Sequence, residues 1–275
     1  MASEEVKKIV MGLRPIDDDF MKVIFQDNTP LVEYVLRVIL GKDDLTVRSS
    51  ETQKDSMHFG SRQLIFDIFA TDSLGQNYNI EVQWADSGAS PKRAHYHSAA
   101  LDINTVPAGA DLNNVADSYV IFITENDVLK GNKATYHIER VVSEMNEPFG
   151  DGAHIIYVNG AYQDVESSIG KLIHDFVCRN ANDMLCAPMA DVTYKYKNTH
   201  EGVDYMCKAV EEYGMKQRNE GIKEGIKEGI REGIREGIIK SIMKMIKQGK
   251  LSYDEIAEGF DVPIDEVRKL AAQMT

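Results

Sequence analysis

The sequence is poor in cysteine and in cationic side chains. Its 275 residues include three cysteines, 31 lysines and arginines, and 44 aspartates and glutamates, so the net charge is -13. Cys178, Cys186 and Cys207 are too few and too irregularly spaced for a zinc site or a disulfide framework. The acidic net charge argues against binding of nucleic acid over the whole protein surface, because phosphate contacts depend on clustered lysine and arginine. Any such contact requires a local cationic rim.

Long apolar runs and cofactor-binding motifs are also missing. No stretch of about eighteen apolar residues occurs, and the first residues carry two glutamates without a signal-peptide core. We therefore expect no membrane partner and a cytoplasmic location. No phosphate-cradling glycine loop or Ser-His-Asp order is found, so we expect no small-molecule cofactor. The 43% hydrophobic content is enough for one core of ordinary size plus an appendage.

The first 205 residues carry alternating helix and strand patterns. Apolar residues from Ile16 to Leu40 follow helical spacing, which Pro30 is expected to divide into two helices and Gly41 to end. Apolar or alternating runs predict strands at residues 64–70, 78–84, 118–124 and 154–158, and a helix at 91–104. A helix between strands implies a crossover. The pattern therefore predicts an α/β fold in which helices flank a mixed sheet.

The composition changes after residue 205. From Glu220 the sequence becomes a tetrapeptide repeat, EGIKEGIKEGIREGIREGI, in which glutamate precedes lysine or arginine by three residues. That spacing favours a helix, although glycine at every fourth position costs about 1 kcal/mol relative to alanine. Two interpretations stay open: a solvated helical spacer, or a self-association helix that makes a homodimer. The expected divisions are a domain at 1–205, the repeat helix at 206–248 and a terminal hairpin at 249–275.

The terminal segment predicts two short helices. Ser252 and Glu255 form a capping box, and Asp261 with Pro263 starts a second helix. The arrangement is similar to a helix-turn-helix. It also fits any two-helix hairpin, and the segment has few cations for a reader of DNA.

A β-hairpin gives the sharpest inference about chemistry. Residues 72–75 supply a turn between two strands, which pairs positions whose numbers add to about 148 and places Asp67 opposite Glu81. Opposed side chains have Cβ atoms about 5 Å apart, and two carboxylates there repel unless a cation lies between them. Gln83 projects from the same face as Glu81, whereas Trp84 is expected to pack on the other side.

Carboxylate and carbonyl oxygens are ligands that Mg²⁺ prefers. Asp67, Glu81 and the Val82 backbone carbonyl therefore predict a metal site, at which a bound ion would lower the pKa of water and neutralise a scissile phosphate. The alternative is that both carboxylates belong to a solvated strand face. Asp67 has apolar neighbours on both sides, and a buried carboxylate needs compensation, which favours the metal site.

Three segments carry a family resemblance. FDIFATDSLGQNYNIEVQW, the upstream LRPIDDDFMKVIF and the downstream PKRAHYHSAAL resemble the PD-(D/E)XK nuclease superfamily over residues 13 to 125, in its branch of recombination-promoting nucleases and transposases. The resemblance implies a restriction-endonuclease-like fold and a Mg²⁺- or Mn²⁺-dependent endodeoxyribonuclease acting on DNA in recombination or mobile-element biology. By resemblance Asp67 and Glu81 are metal ligands, and Gln83 takes the place of the usual lysine that positions the attacking water.

Further positions follow from the same resemblance and from helical spacing. Asp18 matches an acidic position on the opening helix, although its neighbours Asp17 and Asp19 leave the assignment open, and acids also favour a helix N-terminus. Arg93 and Tyr96 lie three residues apart on one helix face, so both are candidates for substrate binding. Arg93 suits a phosphate oxygen, with an ordinary surface cation as the alternative.

Two features of this segment limit what can be assigned: the spacing of its histidines and the uncharged residue Gln83. His95 and His97 are two residues apart and do not share a helix face, so the sequence gives them no role. Gln83 carries no charge and does not stabilise a developing oxyanion as an ammonium does. The alternative function is therefore a catalytically inactive nuclease-fold module that binds nucleic acid or protein.

Overall fold

Helices open the chain, and their main break lies where the sequence predicts it. The computed structural model describes residues 3–56, 64–83 and 86–273. The first helices are α1 (Glu4–Gly12), α2 (Asp18–Phe25) and α3 (Thr29–Leu40). Pro30 lies in the first turn of α3, where its missing amide proton removes no hydrogen bond, and Gly41 ends α3 with a φ of 64°. Both predictions for this segment are confirmed.

A six-stranded sheet follows, with strands in the order β1-β2-β3-β4-β8-β5. The strands are β1 (Val47–Asp55), β2 (Ile65–Asp72), β3 (Asn77–Gln83), β4 (Ser118–Thr124), β5 (Thr135–Ile138) and β8 (Ala153–Asn159), while β6 (Val141–Val142) and β7 (Glu147–Pro148) form a separate ribbon. β3, β4 and β8 run parallel and the other neighbours antiparallel, so the sheet is mixed as predicted. The sequence did not predict β1, and the strand end expected at Trp84 lies outside the described residues.

Helices cover both faces of the sheet. On one face α1 to α3 pack with α5 (Ser168–Val177) and α6 (Ala187–Asn198) against apolar side chains that include Ile80 and Val82. The other face packs against α4 (Pro91–Thr105), the crossover between β3 and β4, with Phe66, Leu101 and Phe122 in its core. Alternation along β3 therefore turns its polar side chains toward α4. This is the restriction-endonuclease-like α/β arrangement predicted from the sequence.

The chain divides into two compact units, Met1–Glu211 and Glu212–Thr275. The repeat lies in α7 (His200–Gln248), which is followed by α8 (Tyr253–Phe260) and α9 (Ile264–Ala272). In the second unit α8 and α9 pack on the last turns of α7 around Ile242, Ile256 and Val267. The capping box of Ser252 and Glu255 is present as predicted. Among the residues that the structure describes, no helix has the length and apolar character to span a membrane.

Candidate functional site

The turn between β2 and β3 sets the register of the hairpin. The Asp72 carboxylate accepts hydrogen bonds from the backbone N–H groups of Leu74 at 2.9 Å and Gln76 at 2.8 Å, and Gly75 adopts a φ of 82°. Ile68 pairs with Ile80 in the resulting ladder. This is the register predicted from the sequence, and it sets Asp67 and Glu81 side by side just beyond this last pair of the ladder.

Asp67 and Glu81 lie side by side, and each carboxylate accepts a hydrogen bond from a backbone N–H group of the neighbouring strand. The Asp67 backbone N–H donates to Glu81 Oε1 at 3.3 Å, and the Val82 N–H donates to Asp67 Oδ2 at 3.1 Å. The other oxygen of Asp67 accepts a hydrogen bond from Gln53 Nε2 at 3.3 Å. Gln53 stands opposite Asp67 in β1 with a φ of 53°, a conformation that non-glycine residues seldom adopt. These contacts fix the orientation of the Asp67 side chain.

The electrostatics of the pair are unfavourable without a cation. Burial, and after it the charge of Glu81, raises the pKa of Asp67 to about 7. Glu81 is only 1% exposed, and its Oε2 has no hydrogen-bond partner among the described residues. In the described part of the chain, the cation that approaches this oxygen is the Arg93 guanidinium, whose Nη2 lies 3.8 Å away. A buried carboxylate oxygen without a donor is costly, and a bound cation would compensate it.

The donor set fits a hard divalent cation. Asp67 and Glu81 offer carboxylate oxygens from adjacent strands, which are ligands suited to Mg²⁺ or Mn²⁺. Within residues 3–56, 64–83 and 86–273, no group of three or more His, Cys, Asp or Glu side chains is placed to hold a metal ion. The side chains therefore supply two carboxylates, and backbone oxygen or water would complete the coordination. A contribution from the Val82 carbonyl stays a prediction.

Gln83 lies at the end of β3, beside a short 3₁₀ turn at Asp86–Ala89. A Cβ atom at Gly88 would collide with Gln83 Oε1. The Gln83 amide thus occupies space that glycine leaves open. Its position two residues beyond Glu81 on the same strand face is the one that the sequence predicts.

The three acidic residues at the start of α2, Asp17, Asp18 and Asp19, have different surroundings. Asp17 pairs with Arg14 at 2.9 Å, and Asp18 pairs with Lys22 at 2.6 Å. Burial, followed by the neighbouring charges of Asp18 and Asp17, raises the pKa of Asp19. Of the three, Asp18 is the one whose charge contributes to the raised pKa of Asp67. Asp19 Oδ1 is buried without a hydrogen-bond partner among the described residues, so the choice among these acids stays open and Asp18 as a metal ligand stays a prediction.

Helix α4 brings a different pair to the site from the one expected. Arg93 approaches Glu81, as proposed from the sequence, but Tyr96 is 44% exposed and has no described contact with Asp67 or Glu81. His97, one turn after Arg93, lies on the inner face instead, and its Nδ1 is 3.3 Å from Glu81 Oε1. The i, i+4 spacing puts His97 near Arg93 on the helix, but the i, i+3 spacing does the same for Tyr96, so spacing alone did not identify His97. Tyr96 as a substrate-binding residue stays a prediction.

Comparison with known proteins agrees with this geometry. The family described as "PD-(D/E)XK nuclease family transposase" matches residues 26–163, just over half of the chain. The matched range includes the hairpin, Gln83 and α4. It does not include the acidic residues 17–19 or the repeat helix. Searches of curated proteins and of solved structures found no match. The chain therefore belongs to the PD-(D/E)XK nuclease family transposases.

Proposed function

We propose that the protein is a metal-dependent DNA endonuclease that acts in the cytoplasm in recombination or in the movement of mobile elements. The observation that carries this proposal is the pairing of partly buried Asp67 with buried Glu81, in which the pKa of Asp67 is raised to about 7 and Glu81 Oε2 has no hydrogen-bond donor among the described residues. Structural carboxylates are normally paired with cations or donors. Because the chain belongs to a nuclease family, two neighbouring carboxylates that repel each other support a metal site.

Each side chain of the site then has a role. Asp67 and Glu81 would hold Mg²⁺ or Mn²⁺, which when bound lowers the pKa of a water molecule and neutralises charge on the phosphate. Arg93, at the rim with 40% of its side chain exposed, binds a nonbridging phosphate oxygen. The uncharged Gln83 amide orients the attacking water by hydrogen bonding. Hydrolysis leaves one phosphate monoester and one hydroxyl on the cut strand.

The direct test is incubation of the purified chain with supercoiled plasmid. We expect nicked and linear products with Mg²⁺ or Mn²⁺ and none with excess EDTA, since the two carboxylates need an ion between them. Calcium is a useful comparison because it binds oxygen ligands with looser geometry. Cleavage that continues unchanged in EDTA would refute metal dependence.

Gly88→Ala tests the position of Gln83. The added methyl group displaces the end of a flexible side chain, so we expect a small change in melting temperature but a loss of cleavage rate of about tenfold or more, because misplacement of a positioning group by about 1 Å is costly. Gly12→Ala is the matched control, since beyond its own helical backbone and chain neighbours its added Cβ would meet nothing within 4 Å. Equal rates for the two variants would show that Gln83 does not orient the water.

We also propose that the repeat helix joins two copies of the chain. Ile222, Ile226, Ile230 and Ile234 are between 51% and 60% exposed, and the glycines beside them leave open space. Full burial contributes about 1.5–3 kcal/mol per isoleucine, which a helix weakened by glycine needs. Because the repeat alternates glutamate with lysine or arginine, a second copy supplies complementary charges. Two joined sites would cut both strands.

Light scattering on the full chain tests this arrangement. We expect a dimer that an Ile226→Asn and Ile230→Asn double variant converts to monomer. The matched control, Lys244→Asn with Lys247→Asn, introduces two asparagines at exposed positions of α7 beyond the repeat and should remain dimeric. A native chain that is monomeric at roughly tens of micromolar would contradict self-association through α7.

A further inference from the structure

His97 is a polar side chain in an apolar setting. It is completely buried, and its ring packs against Phe66 and Phe122 at centroid distances of 6.3 Å and 5.6 Å. A leucine would fill much of this space without the cost of removing two ring nitrogens from water. The polar edge of the ring therefore requires an explanation in terms of what it contacts.

That edge faces Glu81 and Asn79. His97 Nδ1 lies 3.3 Å from Glu81 Oε1 and 3.1 Å from the Asn79 amide nitrogen. Asn79 Oδ1 is buried without a partner in the described part of the chain. If Nδ1 carries the proton and the Asn79 amide turns its oxygen to the ring, both acceptors share one donor and that oxygen is satisfied. The opposite tautomer would set the Nδ1 lone pair against the carboxylate.

The two oxygens of Glu81 are consequently not equivalent. Oε1 receives the Asp67 backbone N–H at 3.3 Å and has His97 Nδ1 at 3.3 Å, whereas among the described residues Oε2 has only the Arg93 guanidinium nearby, at 3.8 Å. We infer that His97 is a positioning residue, which holds Glu81 by Oε1 so that Oε2 is the oxygen presented to the cation. The inference rests on the proposed metal site. Groups that orient a metal ligand in this way typically change metal affinity by about 10- to 100-fold.

Three substitutions separate the donor from the packing. His97→Leu fills the space without a donor. His97→Asn places an amide N–H at the same number of bonds from Cα as Nδ1, and His97→Gln places it one bond further, at the level of Nε2. Binding of Mn²⁺ is followed by the rise in melting temperature during a Mn²⁺ titration, and the melting temperature in EDTA reports the structural effect of each change.

We expect the Leu and Gln variants to bind Mn²⁺ about 10- to 100-fold more weakly than the native protein, and the Asn variant to stay within about threefold. Stability in EDTA should follow a different order, because asparagine leaves a cavity that leucine fills. A purely structural role predicts the same order in both measurements.

The outcomes distinguish this inference from the proposed activity. Native Mn²⁺ affinity in the Leu variant, or equal losses in the Leu and Asn variants, would overturn the role of His97 while plasmid cleavage by the native chain still supports the nuclease. If the native chain binds Mn²⁺ with the expected order of variants but cuts no DNA, the positioning role stands and the nuclease proposal fails. A native chain that shows no Mn²⁺ effect overturns both.

Discussion

In Asp67→Asn and Glu81→Gln variants, we expect the Mg²⁺-dependent rate of plasmid cleavage to fall by at least about 100-fold. Each change keeps the shape of the side chain and removes the charge that would hold the ion. In Asp67→Asn the new amide retains an oxygen to accept from the Val82 N–H, and the Gln53 amide can turn to accept from its nitrogen. The local structure should therefore survive the loss of activity.

Asp43→Asn is the matched control. It removes one negative charge from an exposed turn between α3 and β1, so it reproduces the change in net charge without touching the site. Native-like cleavage in all three variants would assign the activity to another site or to a contaminant. A native chain that shows neither cleavage nor stabilisation by Mn²⁺ would favour the inactive nuclease-fold module, for which Gln83 in place of lysine is the sequence evidence.

The second large effect concerns stability in the absence of metal. The pKa of Asp67 is raised from 3.8 to about 7, so between these values the folded state binds more protons than the unfolded state. Stability then falls as pH rises through this window and levels off above about pH 7. Asp67→Asn removes this penalty. Relative to the native protein, the variant should gain about 1–3 kcal/mol between pH 5 and pH 8, the range allowing for partial solvent contact.

Urea unfolding in EDTA at the two pH values measures the difference. Asp43→Asn, whose carboxylate is exposed, should show no comparable change between them. Saturating Mn²⁺ at pH 8 should reverse the ranking, because the ion stabilises only the native protein that retains both carboxylates. A stability difference between native and Asp67→Asn that is independent of pH would contradict the raised pKa.

The hairpin was predictable because its information is local. Turn residues at 72–75 and strict alternation in β3 fix the register, which in turn opposes Asp67 and Glu81. β1 was missed for the opposite reason. It is an edge strand with mostly polar, partly exposed side chains, so it lacks the apolar alternation that identifies a strand. With β1 unassigned, no argument from the sequence reached Gln53.

His97 shows a second limit of sequence reasoning. The spacing of His95 and His97 correctly excludes a shared helix face, and His95 is exposed. The same spacing does not reveal which of the two faces the sheet, since α4 has little apolar contrast between its sides and carries polar residues inward. Only the packing of α4 on β3 and β4 selects His97. Sites built from two elements distant in sequence depend on such tertiary choices.

The number of residues in the turn that joins β2 to β3 is constrained by the alternation of side chains along both strands. Strand residues alternate between faces, so one residue gained or lost between Asp72 and Asn77 would, unless a bulge absorbed it, exchange the two faces of β3 relative to β2. Glu81 would then enter the apolar layer occupied by Ile80 and Val82. A chain with such an insertion or deletion would keep Asp67, Glu81 and Gln83 in its sequence and still be unable to form the site. The length of this loop is thus as much a part of the inherited motif as the acids that it aligns.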